Sequence, residues 1–114
     1  MNHILIIDEQ RAGRVFSALA SQNGYQSDWV LEEDLPPGDL GCYDLIVTSY
    51  PYGRRLLKQL MEQGRALLVL ADYVCDELFE TLADQVHCFY TVKPLDFSHF
   101  GKLVKNILEE KGAS

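Results

Sequence analysis

The sequence has little cysteine, no long apolar run and a shortage of basic residues. Its three cysteines, Cys42, Cys75 and Cys88, form no C-x-x-C pair, which excludes the usual zinc site and the thioredoxin-type redox motif. We expect them to be reduced, partly buried thiols. No stretch approaches the roughly 18 consecutive apolar residues of a membrane span, and the apolar run after His3 is too short for a signal peptide. These absences predict a cytoplasmic protein.

The charge balance is acidic, with 10 Lys and Arg residues against 17 Asp and Glu residues and a net charge of −7. A surface of that sign repels phosphate groups, so we expect no nucleic-acid partner and no membrane partner. One local exception is a basic cluster in a predicted helix, which consists of Arg54, Arg55, Lys58 and Arg65. This cluster is either a solvated helix face or a site for an acidic partner or an anionic ligand.

The chain of 114 residues is long enough for one hydrophobic core and too short for two, so residues 1–114 are predicted to form a single domain. Five short apolar runs, most of them rich in Ile, Leu and Val, are typical of strands that are covered on both faces. The predicted strands are Ile4–Ile7, Tyr25–Leu31, Asp44–Ser49, Ala66–Ala71 and Val86–Val92.

Segments with apolar residues at helical spacing separate most of these strands. The predicted helices lie within Gln10–Gln22, Arg54–Gln63, Val74–Leu82 and Phe97–Leu108, with Val15 and Val74 counted among their apolar positions. Between the second and third strands, Pro36 and Pro37 break the pattern, so the second helix is predicted to be short or missing. Alternating strands and helices with short links predict an α/β fold with a doubly wound, five-stranded parallel sheet.

Polar residues stand where four of the predicted strands end. Asp8 and Glu9 follow the first strand, Ser49 ends the third, and Asp72 and Lys93 follow the fourth and fifth. In an open parallel sheet, the carboxyl ends of neighbouring strands border one crevice in which ligands bind. Carboxylates are ligands for magnesium and an ammonium group attracts phosphoryl oxygens, so one interpretation is a cation and phosphate site. The other is that these charges are solvated and only mark the strand ends.

The chain resembles the receiver domains of bacterial two-component response regulators over nearly its whole length. The matching features are Ile4–Glu9, Tyr43–Thr48, Tyr90–Pro94 and the spacing of Ala71 from Lys93. The resemblance implies a CheY-like, flavodoxin-like fold with strand order 2-1-3-4-5. It also implies a cis peptide bond before Pro94 and a protein-binding face at the fourth helix, fifth strand and fifth helix, counted with the short or missing second helix.

The family pattern also implies roles for single residues. Asp8 and Glu9 match the acidic pair that holds a metal ion, and Lys93 matches the family's lysine. Ala71 and Tyr90 match the two switch positions. Because only two carboxylates are matched, we expect weak Mg²⁺ binding at most and no other cofactor.

Two departures from the family pattern bear on function. The aspartate that becomes phosphorylated maps onto Ser49, whose hydroxyl cannot attack a phosphoryl group without a base beside it. The switch hydroxyl maps onto Ala71, which has no group that could hydrogen-bond to a phosphate. The loop after Ser49 is also shorter than the family's. The sequence therefore predicts a degenerate receiver, or pseudo-receiver, that lacks the phosphoacceptor.

The resulting hypothesis is a signalling module that is not an enzyme and is not phosphorylated on aspartate. We expect it to act through contact with a protein partner of a two-component pathway, and homodimerisation through the predicted protein-binding face is one form of such contact. The alternative is an atypical phosphorylation-dependent or ligand-binding switch. It would use Ser49 or the residual site of Asp8, Glu9 and Lys93.

Overall fold

A computed structural model describes residues 2–35, 38, 40–93 and 96–112 of the chain. Within these residues, the elements in chain order are β1 His3–Ile7, α1 Gln10–Gln22, β2 Gln26–Val30, β3 Leu45–Tyr50, α2 Leu57–Glu62, β4 Ala66–Ala71, α3 Asp76–Ala83, β5 Cys88–Val92 and α4 Phe97–Gly112. The sheet has the strand order β2-β1-β3-β4-β5, and every neighbouring pair is parallel. The predicted α/β fold with strand order 2-1-3-4-5 is therefore confirmed.

The central strands β1, β3 and β4 supply the core because helices cover the sheet on both faces. Successive side chains of a strand point to opposite faces. Accordingly, Ile4 and Ile6 belong to the apolar cluster under α1 and α4, whereas Leu5 and Ile7 belong to the cluster under α2 and α3. Burial on both faces explains why the sequence of β1 is continuously apolar and does not alternate.

The connections between strands and helices agree with the element boundaries predicted from the sequence. The described residues between β2 and β3 contain only one helical segment, a 3₁₀ turn at Glu32–Asp34, which agrees with a second helix that is short or missing. A second 3₁₀ turn at Arg54–Leu56 leads directly into α2. The predicted fourth helix is therefore α3, and the predicted fifth helix is α4.

Several apolar residues are more exposed than their spacing predicts. Val15 is 41% exposed although it lies in α1, and Val74 is 74% exposed because it precedes α3, which begins at Asp76. Val86 is 96% exposed because β5 begins only at Cys88. Cys42 is exposed as well, so the expectation of partial burial is correct only for the other two cysteines.

A cis peptide bond precedes one of the described prolines. Tyr50 extends β3 by one residue and is joined to Pro51 by a cis peptide bond. The cis bond expected before Pro94 lies outside the described residues. In the part of the chain that the structure describes, no helix has the length and apolar content needed to cross a membrane.

Candidate functional site

The strand-end residues singled out from the sequence meet at one edge of the sheet. The parallel register pairs Ile7 with Thr48, so Asp8, the next residue after β1, comes level with Ser49 on β3. It also pairs Ala71 with Val92, which places Asp72 and Lys93 together just beyond β4 and β5. Strand register alone therefore brings these four polar side chains to one crevice.

The four side chains form a connected polar network, which we call the strand-end cluster (Asp8, Ser49, Asp72 and Lys93). The Ser49 hydroxyl donates a hydrogen bond to the Asp8 carboxylate. The Lys93 ammonium donates to Ser49 Oγ at 3.1 Å. Its Nζ also lies 3.7 Å from Asp8 Oδ2 and 3.4 Å from Asp72 Oδ1. Every charged group of the cluster therefore has a partner of opposite charge.

Burial makes this network important for the fold. Asp8 is 1% exposed and Ser49 is 2% exposed, whereas the side chains of Lys93 and Asp72 reach the surface. A buried carboxylate is tolerated only when it is paired and hydrogen-bonded. Asp8 meets that requirement because its Oδ1 also accepts a hydrogen bond of 2.8 Å from the Glu9 amide.

The main chain of Asp8 is fixed by a residue that the sequence analysis did not single out. The indole Nε1 of Trp29, on β2, donates to the Asp8 carbonyl oxygen at 2.9 Å. Trp29 packs directly on Gly13 of α1, where an added Cβ would come within 2.0 Å of the indole nitrogen. A larger residue at position 13 would therefore push the indole away from Asp8.

Tyr52, in the loop after β3, contacts the segment that follows β2. Its hydroxyl accepts a hydrogen bond of 2.9 Å from the Glu32 amide, which ties this loop to the 3₁₀ turn after β2. Burial raises the pKa of Tyr52, and the nearby carboxylates of Glu33, Glu32 and Asp8 raise it further against the opposing hydrogen bond from the Glu32 backbone. The tyrosine hydroxyl therefore lies close to the acidic end of the cluster.

The loop that carries Tyr52 lies close against the end of β3 at Gly53. Gly53 has a φ of 84°, a left-handed conformation that glycine adopts without strain. A Cβ at this position would come within 2.6 Å of Thr48 Oγ1. The sequence showed that this loop is short, but it carried no signal for a contact with Glu32, which is 20 positions away.

The described residues do not fit a divalent cation at Asp8. Both oxygens of Asp8 already accept hydrogen bonds, and the Lys93 ammonium lies within 3.7 Å of Oδ2, where it would repel a second cation. Glu9 is exposed and has no described side-chain contact with the cluster. Within the described residues, no group of three or more His, Cys, Asp and Glu side chains could hold a metal ion. The expectation that Mg²⁺ binds weakly at most stays a prediction.

The two predicted switch positions have different surroundings. Ala71 is fully buried at the end of β4, and its carbonyl accepts a 2.7 Å hydrogen bond from the Lys93 amide. Tyr90, on β5, is partly buried and packs against the same apolar cluster. Its hydroxyl accepts a 3.3 Å hydrogen bond from the Cys75 amide, and its ring meets Phe79 edge-on at 6.0 Å. Tyr90 thus anchors the start of α3.

Exposed large apolar side chains are concentrated around α3. Among the described residues they are Val15, Tyr73, Val74, Phe79 and Val86, so four of the five lie between positions 73 and 86. The ring of Phe79 contacts that of the partly buried Tyr90, whereas the ring of Tyr73 contacts that of Tyr50 at 6.3 Å. We call Tyr73, Val74, Phe79 and Tyr90 the α3–β5 face. Clustered exposed apolar groups of this kind are typical of protein contact sites.

Comparison with known proteins bears on the fold. No protein-family model and no curated protein matches the sequence. Among solved structures, a response regulator receiver domain protein from Clostridium thermocellum matches with a TM-score of 0.78 at 15% identity, covering 99% of this chain and 98% of that protein.

Two further structures agree with the first. A two-component response regulator from Clostridium difficile has a TM-score of 0.78 at 21% identity and covers 96% of this chain and 97% of its own. A CheY-like response regulator receiver domain protein from Methanospirillum hungatei has a TM-score of 0.75 at 16% identity, with 99% and 98% covered. From end to end, the chain has the fold of response regulator receiver domains.

Proposed function

We propose that this chain is a receiver-like signalling module that acts through protein–protein contact, is not an enzyme and is not phosphorylated on aspartate. The observation that carries the proposal is the state of Ser49. Its hydroxyl lies where the receiver pattern places the phosphoacceptor, and it is bound between Asp8 and Lys93. A serine in that position supplies neither the nucleophilic carboxylate nor a metal ligand.

The surroundings of Ser49 also argue against reaction at its hydroxyl. With only 2% of the residue exposed, an attacking or transferring group has no approach to Oγ. The Asp8 carboxylate accepts the hydrogen bond of this hydroxyl, but a carboxylate is a weak base for a serine hydroxyl. The Lys93 ammonium has no lone pair with which to accept the serine proton. The alternative switch, in which a kinase modifies Ser49, would require this network to open first. The closed network therefore favours the phosphate-independent module.

A receiver switch also needs a hydroxyl that can report on the phosphate. Ala71 provides none, and Tyr90 is held at the start of α3 by Cys75 and Phe79. Without either element, a signal would have to come from the presence or absence of a partner. We therefore propose that partner abundance, and not phosphate, controls the module.

The α3–β5 face is the proposed contact surface. It exposes 52% of Tyr73 and 56% of Phe79, and aromatic residues are enriched where proteins bind one another. We propose that its partner is a protein of a two-component pathway. If that partner is a second copy of this chain, sedimentation of the free protein tests the contact directly.

Intact-mass measurement after incubation with acetyl phosphate and magnesium tests the central claim. We expect no mass increase, because Ser49 stands where a receiver has its phosphoaccepting carboxylate and both oxygens of the neighbouring Asp8 already accept hydrogen bonds. A receiver domain with an intact phosphoacceptor serves as the positive control.

Two results would contradict the proposal in different ways. A gain of one phosphoryl group that hydroxylamine removes would show that an aspartate accepts phosphate after all. A gain that resists hydroxylamine and disappears in Ser49→Ala would show that serine is the acceptor, which favours the alternative switch.

A further inference from the structure

A groove of about 530 Å³ lies between α2 and α3. Its floor is formed by Leu57 and Met61, two partly buried residues that pack against the apolar cluster beneath. The volume falls in the range of ligand-binding clefts, and an apolar floor with polar walls is their usual make-up. This groove is separate from the strand-end cluster, with which it shares no residue.

The α2 wall of the groove is electrically asymmetric. Arg54 and Lys58 are exposed and lie one helical turn apart, and Glu62 follows one turn further on. Within the described residues, neither Arg54 nor Lys58 forms an ion pair. The wall therefore presents two uncompensated cations at one end and a carboxylate at the other.

The local charge contrasts with that of the whole chain. Together with Arg55, the two cations place three of the ten basic residues within five positions of a chain whose net charge is −7. A surface that is acidic overall does not require a cluster of cations in order to stay solvated. The opposite wall is uncharged at the groove, where Thr81 and Gln85 offer a hydroxyl and an amide.

We propose that this groove binds an acidic, amphipathic helix of a partner protein. Its carboxylates would lie on Arg54 and Lys58, and its apolar side chains would lie on Leu57 and Met61. Grooves between two helices commonly bind a third helix by its apolar face. The inference rests on the proposed function in one respect, namely that the chain acts through protein contact, but it assigns the partner to a surface other than the α3–β5 face.

The position of Glu62 specifies the ligand further. A uniformly anionic polymer would be attracted at Arg54 and repelled one turn beyond Lys58, so a nucleic acid is a poor match. A helix with Glu in its first turns and Lys in its last turn matches both ends of the wall. Such an order of charges also stabilises the ligand helix itself, because it complements the helix dipole.

Fluorescence anisotropy with a labelled peptide tests the proposal. The probe is a peptide of about 16 residues, long enough for marginal helicity in water. It consists of Ala, Leu, Glu and Lys, with Leu at helical spacing, Glu in the first half and Lys in the last turn. The proteins are the full chain, Arg54→Gln/Lys58→Gln, and the matched control Arg14→Gln/Lys102→Gln, which removes the same charge from exposed positions on α1 and α4.

We expect saturable binding to the full chain. The affinity should fall about tenfold in Arg54→Gln/Lys58→Gln, because a few exposed charge contacts are lost, and less than about twofold in the control. Binding should also weaken as the salt concentration rises. An equal loss in both double variants would overturn the proposal, because it would reduce the effect to overall charge. Absence of saturation at millimolar peptide would overturn it as well.

Two competition arms distinguish other occupants. If inorganic phosphate displaces the peptide at low millimolar concentration, the groove is a small-anion site and the helix proposal is wrong. If the free chain sediments as a dimer and Arg54→Gln/Lys58→Gln is monomeric, the occupant is a second copy, which also overturns it. None of these outcomes depends on acetyl phosphate, so failure here is distinguishable from phosphorylation that would refute the proposed function.

Discussion

The strand-end cluster and the α3–β5 face are adjacent in the chain, since Asp72 belongs to the first and Tyr73 to the second. Both depart from the usual rule that apolar side chains are buried and polar side chains are exposed. In the cluster, polar side chains are buried: Asp8 and Ser49 are almost inaccessible, and each charge is paired within 4 Å. On the face, apolar side chains are exposed, with Val74 and Phe79 more than half accessible to solvent.

The polar groups of the cluster have their partners within the folded chain, whereas the apolar groups of the face stay in contact with water. A paired, buried network gains nothing further from a ligand and loses stability when it is opened. Exposed apolar side chains gain free energy when a partner removes them from water. We therefore expect no covalent reaction at the strand-end cluster, and we expect partner binding at the α3–β5 face.

The largest effect within the strand-end cluster should follow from removing its cation. Lys93→Met leaves the Asp8 carboxylate, which is 1% exposed, without its ion-pair partner. Breaking a buried pair from one side is strongly destabilising, and we expect a loss of about 3 kcal/mol in the free energy of unfolding. Chemical denaturation monitored by far-UV circular dichroism measures it.

Lys105→Met is the matched control for that substitution. Lys105 lies 3.9 Å from Glu109 on α4, and both side chains are about two-thirds exposed. An exposed pair one turn apart contributes little, so the control should change stability by less than about 0.5 kcal/mol. Equal losses in the two variants would mean that the cluster is no more important than a surface ion pair.

A smaller effect is expected when the carboxylate that the family pattern has at position 49 is introduced. Ser49→Asp places a second carboxylate in contact distance of Asp8, where Ser49 now donates a hydrogen bond. Two adjacent carboxylates raise the pKa of one of them. The folded state then binds a proton that the unfolded state has released, so stability falls as the pH rises through that window. At pH 7 we expect a loss of about 2 kcal/mol, partly offset by Lys93.

Ser49→Asn has nearly the same volume without the charge and serves as the control for Ser49→Asp. Magnesium should raise the melting temperature of Ser49→Asp and leave those of the parent and Ser49→Asn nearly unchanged, because only the first has a third carboxylate for the ion. A parent protein that magnesium stabilises equally would contradict the closed state of the cluster.

The sequence predicted the positions of the cluster because strand ends are strongly encoded. Ile4–Ile7 and Ala66–Ala71 are continuous apolar runs that end in acids, and a parallel register then fixes which of those acids become neighbours. The partners of Ser49 were not derivable in the same way. That its hydroxyl would lie between Asp8 and Lys93 depends on side-chain packing and not on periodicity.

The family resemblance implied a protein-binding face at α3 and β5, but the apolar spacing did not show which residues of that face are exposed. Helical spacing assigned Val74 to a buried stripe, but α3 starts two residues later and leaves it exposed. An apolar pattern marks residues that gain from burial without saying whether the chain or a partner buries them. The hydrogen bond between Tyr52 and the Glu32 amide is likewise a contact between distant segments, and no local pattern encodes it.

The smallest effect on stability is expected on the face itself, where two neighbouring residues form a natural comparison. Leu78 is 3% exposed and Phe79 is 56% exposed on the same helix. Leu78→Ala should lower the free energy of unfolding by about 3 kcal/mol because it leaves a cavity. Phe79→Ala should lower it by only about 0.5 kcal/mol, since it loses one edge contact with Tyr90.

Phe79→Ala should nevertheless weaken an association made through the α3–β5 face, because an aromatic residue near the centre of an interface commonly contributes more than about 1 kcal/mol to binding. Sedimentation velocity of the parent and of Phe79→Ala, over a range of concentrations, tests this for a second copy. If Phe79→Ala destabilises the fold as much as Leu78→Ala does, the phenylalanine belongs to the core. Its exposure would then carry no information about a partner, and the contrast between the two regions would be lost.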